Sequence, residues 1–173
     1  MLAKNQDGLK ELFKFISSSS TDQFYGGPKL FLEDLGETKN ILLGSGGING
    51  YLHNLMFYSS RENIKKAIKL FDYIEILPFE NFKYLIDRGN ISEKNIKEII
   101  KFVIEEANKI NKLVVAISDA RYFDKSQKVI HEIYIHAKGI GGRLHKLFDR
   151  RFPKKSFPTQ IVFTTDEMLK SFS

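Results

Sequence analysis

The chain contains no cysteine. That excludes a disulfide framework and every thiolate metal or redox site, and it agrees with a reducing interior. Long hydrophobic runs are also missing: the apolar stretches are a few residues each, against the ~20 that a membrane-spanning helix needs. The opening MLAKNQDGLKELF has no basic leader followed by a continuous apolar core. A soluble, cytoplasmic protein with no membrane contact is the expectation. Two chemical signatures are absent as well. No H-E-x-x-H pair occurs among the histidines, and the one glycine-rich loop lacks the Lys-Ser/Thr ending of a Walker loop.

What is present is an ordinary globular composition. At 173 residues and 42% hydrophobic content the chain can bury one core, so a single domain over 1–173 is expected. The net charge of +6 suits a polyanionic neighbour such as DNA. Lysine greatly outnumbers arginine, however, and most of that charge reads as a solvated surface.

Periodicity places helices and strands in alternation. Leu9, Leu12, Phe13 and Ile16 predict a helix over Asp7 to Ser17, capped by Asn5 or Asp7 and ended by the serines up to Ser20. Ile41 to Leu43 predicts a strand that breaks into GSGGING, with a helix beginning inside GYLHNLMFY. Ser59 and Glu62 form a capping box before the stripe Ile64, Ala67, Ile68 and Phe71. A strand over Tyr73 to Phe79, a helix from Glu93 to Ile110 behind a Ser92 cap, and a strand over Leu113 to Ile117 follow. Lys125 to His136 is helical, and IVFTTDEMLKSFS gives a last strand and a helix capped by Thr165. The fold class is α/β, with about four mainly parallel strands. Four strands are few for a closed parallel barrel, so the chain reads as part of a larger sheet.

Chemistry-bearing constellations are sparse. The spacing of Gly44, Gly46 and Gly50 misses the dinucleotide fingerprint by one, and a tight strand-to-helix turn explains it better. His53, His131, His136 and His145 read as surface or half-buried side chains, since His131 and His136 lie five apart on a helix and do not share a face. Ser118 has no neighbouring base. The run RLHKLFDRRFPKKSF offers Arg143, Lys146, Arg150, Arg151, Lys154 and Lys155 to phosphates, with Phe148 or Phe152 for stacking. The segment VVAISDARYFD delivers Asp119 and Arg121 to the carboxyl end of a strand, where α/β proteins place ligands. Arg121 cannot donate a lone pair to a metal, so it sits oddly there.

In order along the chain, LAKNQDGLKELFKFIS, ILLGSGGINGYL, DYIEILP, LVVAISDARYFD and FTTDEMLKSFS resemble successive landmarks of the PHP domain of bacterial DNA polymerase III, PolC type. The resemblance implies part of a distorted β/α barrel, resuming after an exonuclease insertion and lacking the family's opening H-x-H. It implies the polymerase and exonuclease modules as partners, a role in DNA replication, and magnesium for nucleotide addition by the full polymerase, whose acids are not in this chain. Intact PHP sites hold zinc or manganese and hydrolyse phosphoesters with a metal-activated water. Here Ser20 stands where the family has His, Gly47 where it has Cys, Tyr51 where it has an acid, and Arg121 where it has His. Asp119 is the one candidate remnant ligand. The resemblance therefore implies a degenerate site with no metal and no catalytic residue in this chain, in which Arg121 pairs with Asp119 or another carboxylate. Two other functions stay open: a PHP phosphoesterase drawing on Asp119, His53 and His145, and a free-standing interaction domain whose basic loop binds DNA.

Overall fold

Asn5 starts the first helix, its side chain accepting a hydrogen bond from Gly8 N at 2.9 Å. In the computed structural model, which describes residues 1–35, 38–145, 148, 157 and 159–172, this helix, α1, spans Gln6–Ser20. It is longer than its sequence periodicity predicts because the serines do not end it. Ser19 Oγ donates to Ile16 O at 2.9 Å, and such bonds to the preceding turn let hydroxyl side chains stay inside a helix. Thr21 closes it instead, donating its N–H to the carbonyls of Ser17 and Ser18.

The chain divides into two compact units, Met1–Glu75 with Glu106–Val114, and Ile76–Glu105 with Val115–Ser173. In the first unit the short strand β1 (Leu2–Ala3) precedes α1 and pairs antiparallel with β2 (Ile41–Leu42), Leu2 opposite Leu42 and Ala3 opposite Ile41. Sequence patterning does not anticipate β1, and its antiparallel pairing corrects the expectation of mainly parallel strands at this point. Helices α2 (Tyr51–Tyr58) and α3 (Arg61–Leu70) pack on each other. Ser60 caps α3, not Ser59: its hydroxyl accepts from Asn63 N at 3.3 Å, while Ser59 Oγ accepts from the Asn63 side chain at 2.9 Å. Ile64, Ala67 and Ile68 are at most 2% exposed, and with Leu52, Met56 and Phe71 they form the core of this unit. Burying each large side chain stabilises by ~1.5–3 kcal/mol at most.

Strand β3 (Tyr73–Ile76) pairs with β4 (Leu113–Ala116). Gly44 makes an isolated parallel bridge to Tyr73. The expected final strand is reduced to one parallel bridge, Tyr122 to Ile161, so the four strands among the described residues include β1 in its place. Among the described residues the sheets have two strands each and close no barrel. In the second unit, α4 (Lys83–Asp87) precedes the longest helix, α5 (Glu93–Lys109), which begins here and ends in the first unit. Ser92 Oγ accepts from Asn95 N at 3.2 Å, as the sequence leads one to expect of its cap. A 3-10 turn at Lys125–Gln127 carries a capping box from Asp124 and leads into α6 (Lys128–His136). The last helix, α7 (Thr165–Ser171), has its capping box on Thr164 and Glu167, one residue before the expected Thr165. Phe82, Tyr84, Leu85, Ile96, Ile100, Val103, Tyr122 and Ile135 supply the buried apolar groups of this unit.

The GSGGING segment is a tight turn between β2 and α2. Ser45 Oγ accepts from Glu75 N at 2.8 Å, and Gly50 N donates to Gly47 O at 2.7 Å. Gly46 adopts φ +77°, which favours glycine. A Cβ on Gly50 would collide with Ser45 O and lie 2.7 Å from the Gly46 carbonyl carbon, both rigid backbone. Gly50→Ala is therefore expected to cost ~1–3 kcal/mol through forced displacement of the turn. Gly139→Ala, whose new atom meets nothing closer than 3.4 Å, is expected to cost far less. Urea midpoints for the two variants check this, and equal midpoints would contradict the crowding at Gly50.

Candidate functional site

The strand end around Asp119 is built by three segments of the second unit. After β4, Ile117 N donates to Ile76 O at 2.9 Å, and the chain then turns at Asp119, which adopts φ +47°. Left-handed backbone is uncommon for a residue with a Cβ, although Asp tolerates it better than most. The turn is tied down from outside. Asn81, fully buried after the short turn that ends β3, donates its side-chain N–H to Ser118 O at 3.1 Å. Gln160, 2% exposed, accepts on its carbonyl from Arg121 N at 2.7 Å and Tyr122 N at 3.2 Å. Gln160 N in turn donates to the Tyr122 hydroxyl at 3.2 Å, and Val162 N donates to Tyr122 O at 3.1 Å.

Both carboxylate oxygens of Asp119 are engaged. Oδ1 accepts from Arg121 Nη2 at 3.1 Å, and Oδ2 accepts from Gln160 Nε2 at 3.0 Å. Of the two alternatives that the sequence leaves open for Arg121, the structure shows the pair with Asp119. The Asp119 side chain is only 14% exposed while that of Arg121 is 52% exposed. The ion pair is thus screened on one side and contributes at most ~1 kcal/mol. The bond from Gln160 lies deeper and matters more, because losing it strands a buried donor.

The other residues named by the resemblance occupy the first unit. Ser20 is the exposed last residue of α1, Gly47 lies in the glycine turn, and Tyr51 is the first residue of α2 and 44% exposed. None carries a strong metal donor. Among the described residues there is no group of three or more His, Asp or Glu placed to hold a metal. The side chains at these positions, a hydroxyl, a glycine, a phenol and a guanidinium, are poor ligands for zinc or manganese, and the Asp119 carboxylate is already paired with Arg121.

The histidines differ in environment. His53 in α2 is buried, contrary to the surface or half-buried placement that its sequence context suggests, and meets the Phe57 ring edge-on at 5.2 Å. Burial lowers its pKa from 6.5 to about 4. His131 is half-buried beside Tyr122, with ring centroids 5.6 Å apart; burial first, and then the charges of His145 and Arg121, hold its pKa below the usual range. His136 Nδ1 lies 2.7 Å from Glu132 O. His145 meets Tyr134 edge-on at 5.5 Å. Of the basic cluster, Arg143 is exposed, and Lys146, Arg150, Arg151, Lys154 and Lys155 lie outside the described residues. Gln160 and Asn81 are absent from any motif reading of the sequence. The only available hint is an amide residue directly before an apolar one inside a mostly apolar segment, as in FPTQIVF and LPFENF.

No protein-family model matches the chain. It is 42% identical over 174 aligned positions to the DNA polymerase III PolC-type of Mycoplasmopsis pulmonis, and 33% identical over 175 to that of Bacillus subtilis. A third relative of the same name, from Lacticaseibacillus paracasei, is 31% identical. Each alignment takes in 100% of this chain and 12% of the relative, so the chain spans about one eighth of the length of the relatives it matches. The similarity is to one segment of a PolC-type DNA polymerase III, and it runs the full length of the chain.

Two outcomes follow from the geometry of this site and of His53. Asp119→Ala is expected to lower stability by ~1–3 kcal/mol because the buried Gln160 donor loses its acceptor. Arg121→Ala, which removes only a half-exposed charge, is expected to cost less than ~1 kcal/mol; chemical denaturation compares them, and a larger loss for Arg121→Ala would invert the ranking. For His53 the folded pKa of about 4 lies below the unfolded 6.5. The unfolded state then binds more protons at acid pH, so stability is complete above pH 6.5 and falls as the pH drops toward 4, by up to ~3 kcal/mol. In His53→Phe that acid loss should shrink, as read from urea midpoints between these pH values.

Proposed function

We propose that this chain is the second part of the PHP domain of a PolC-type DNA polymerase III, with residues 1–173 forming one partial domain of a distorted β/α barrel. Its role is structural, in cytoplasmic DNA replication: it packs against the polymerase and exonuclease modules and hydrolyses nothing by itself. Nucleotide addition, with its magnesium, belongs to other parts of such a polymerase. The full-length similarity to one segment of much longer polymerases supports this reading, as does the order of the resembling segments.

The single observation that carries the degenerate site is the pair between Arg121 and Asp119. A guanidinium beside a strand-end carboxylate supplies the positive charge that a cation would otherwise supply there, and it repels any divalent ion that approaches. Two buried amide oxygens, Asn81 Oδ1 and Gln160 Oε1, have no partner among the described residues, and both amides bond to residues 118 and 119. They fit a strand end that once presented oxygen donors and has been closed over.

Elemental analysis of the purified intact polypeptide after incubation with zinc or manganese tests the assignment. Well under one equivalent of metal is expected, unchanged by Asp119→Ala. Stoichiometric metal that disappears in Asp119→Ala would reverse it and favour the phosphoesterase reading.

A further inference from the structure

Cations along α5 and α6 are mostly spoken for. Lys94 pairs with Glu98, Lys97 with Glu93, Lys101 with Glu105, and Lys128 with Glu132. Past the end of α6 the pattern changes. Lys138 and Arg143 are exposed, and neither has a carboxylate partner among the described residues. Both line a small cavity of about 190 Å³ together with Tyr134, Gly139 and His145.

The local backbone explains why they meet. The helix stops at His136, and Gly139 N then donates to Arg143 O at 2.9 Å while Gly142 N donates to Gly139 O at 2.9 Å. Gly141 and Gly142 take φ +73° and +72°, the left-handed values that fold the chain back on itself. Arg143 is thereby returned beside Lys138. The floor is aromatic. Tyr134 is 65% exposed, yet its ring is held between two others: it stacks on His131 at 27° and 6.5 Å, and it meets His145 edge-on at 66° and 5.5 Å. An exposed but braced ring loses little freedom when a second flat group lies on it.

We propose that this cavity binds one nucleotide unit of single-stranded nucleic acid, its base stacked on Tyr134 and its phosphate held by Lys138 and Arg143. Stacking on an aromatic ring tolerates any base, and two exposed cations beside it match the charge of the backbone phosphates. A duplex hides the faces of its bases in its own stack, so single strands are selected. The cavity shares no residue with the Asp119–Arg121 pair, so failure of either assignment leaves the other standing.

Fluorescence anisotropy of a labelled oligodeoxythymidylate dodecamer with the intact chain, between about 50 and about 200 mM salt, tests it. The expected results are that Tyr134→Ala weakens binding by about five- to a hundredfold, and that Tyr134→Phe, which keeps the ring, binds like the parent. Lys138→Gln with Arg143→Gln should flatten the slope of log affinity against log salt by about 1.4. Three results would overturn the site: no binding by the parent chain, equal affinity for Tyr134→Ala, or a duplex of the same length binding as tightly with the same response to the variants.

Discussion

One buried amide, Gln160, organises the strand end on which the candidate site depends. It reaches the turn through four hydrogen bonds: its carbonyl takes the N–H groups of Arg121 and Tyr122, its N–H goes to the Tyr122 hydroxyl, and its side chain goes to Asp119. These bonds hold Asp119 in its left-handed conformation and so fix the direction of its carboxylate. The strain of such a conformation is of order 1 kcal/mol or more and persists only where neighbours over-determine it. Once Asp119 is aimed, the 3.1 Å contact with Arg121 follows from a separation of two residues.

That ordering explains why the ion pair is a consequence more than a cause. Arg121 is half-exposed and could swing into water at little cost, whereas Asp119 cannot turn away without leaving Gln160 Nε2 buried and bare. The carboxylate is held by an uncharged partner wherever the guanidinium lies. The positive charge then needs only to be nearby. A guanidinium at that distance offers a cation no lone pair and repels it.

Much of this was legible in the sequence, and the failures have physical reasons. Apolar spacing located α1, α3 and α5 because their stripes are built from Ile, Leu, Phe and Val against Lys and Glu, a contrast that periodicity reads directly. It misses β1, whose two exposed residues carry no alternation, and it ends α1 too early because serine favours helix ends while its hydroxyl can also bond within the helix. The cap shifts from Ser59 to Ser60 and from Thr165 to Thr164 arise where two hydroxyl residues are adjacent and either could serve. The unusual position of Arg121 was plain from its type alone. Asp119 was one of the two partners the sequence left open for it, but the bond from Gln160 to Asp119 was not legible, because no local pattern encodes a contact across 41 residues.

Charge distribution adds a step that composition cannot supply. A net +6 says little when so many lysines sit one helical turn from a glutamate. Each of those pairs largely cancels beyond the range of a Debye length. Among the described residues, Lys138 and Arg143 have no carboxylate partner and line a cavity with an exposed ring that already stacks on His131. The end of α6 has that combination because a glycine turn folds Arg143 back past Tyr134. Where the backbone places two positive charges beside an aromatic face is thus a property of the turn after α6 and not of the total charge.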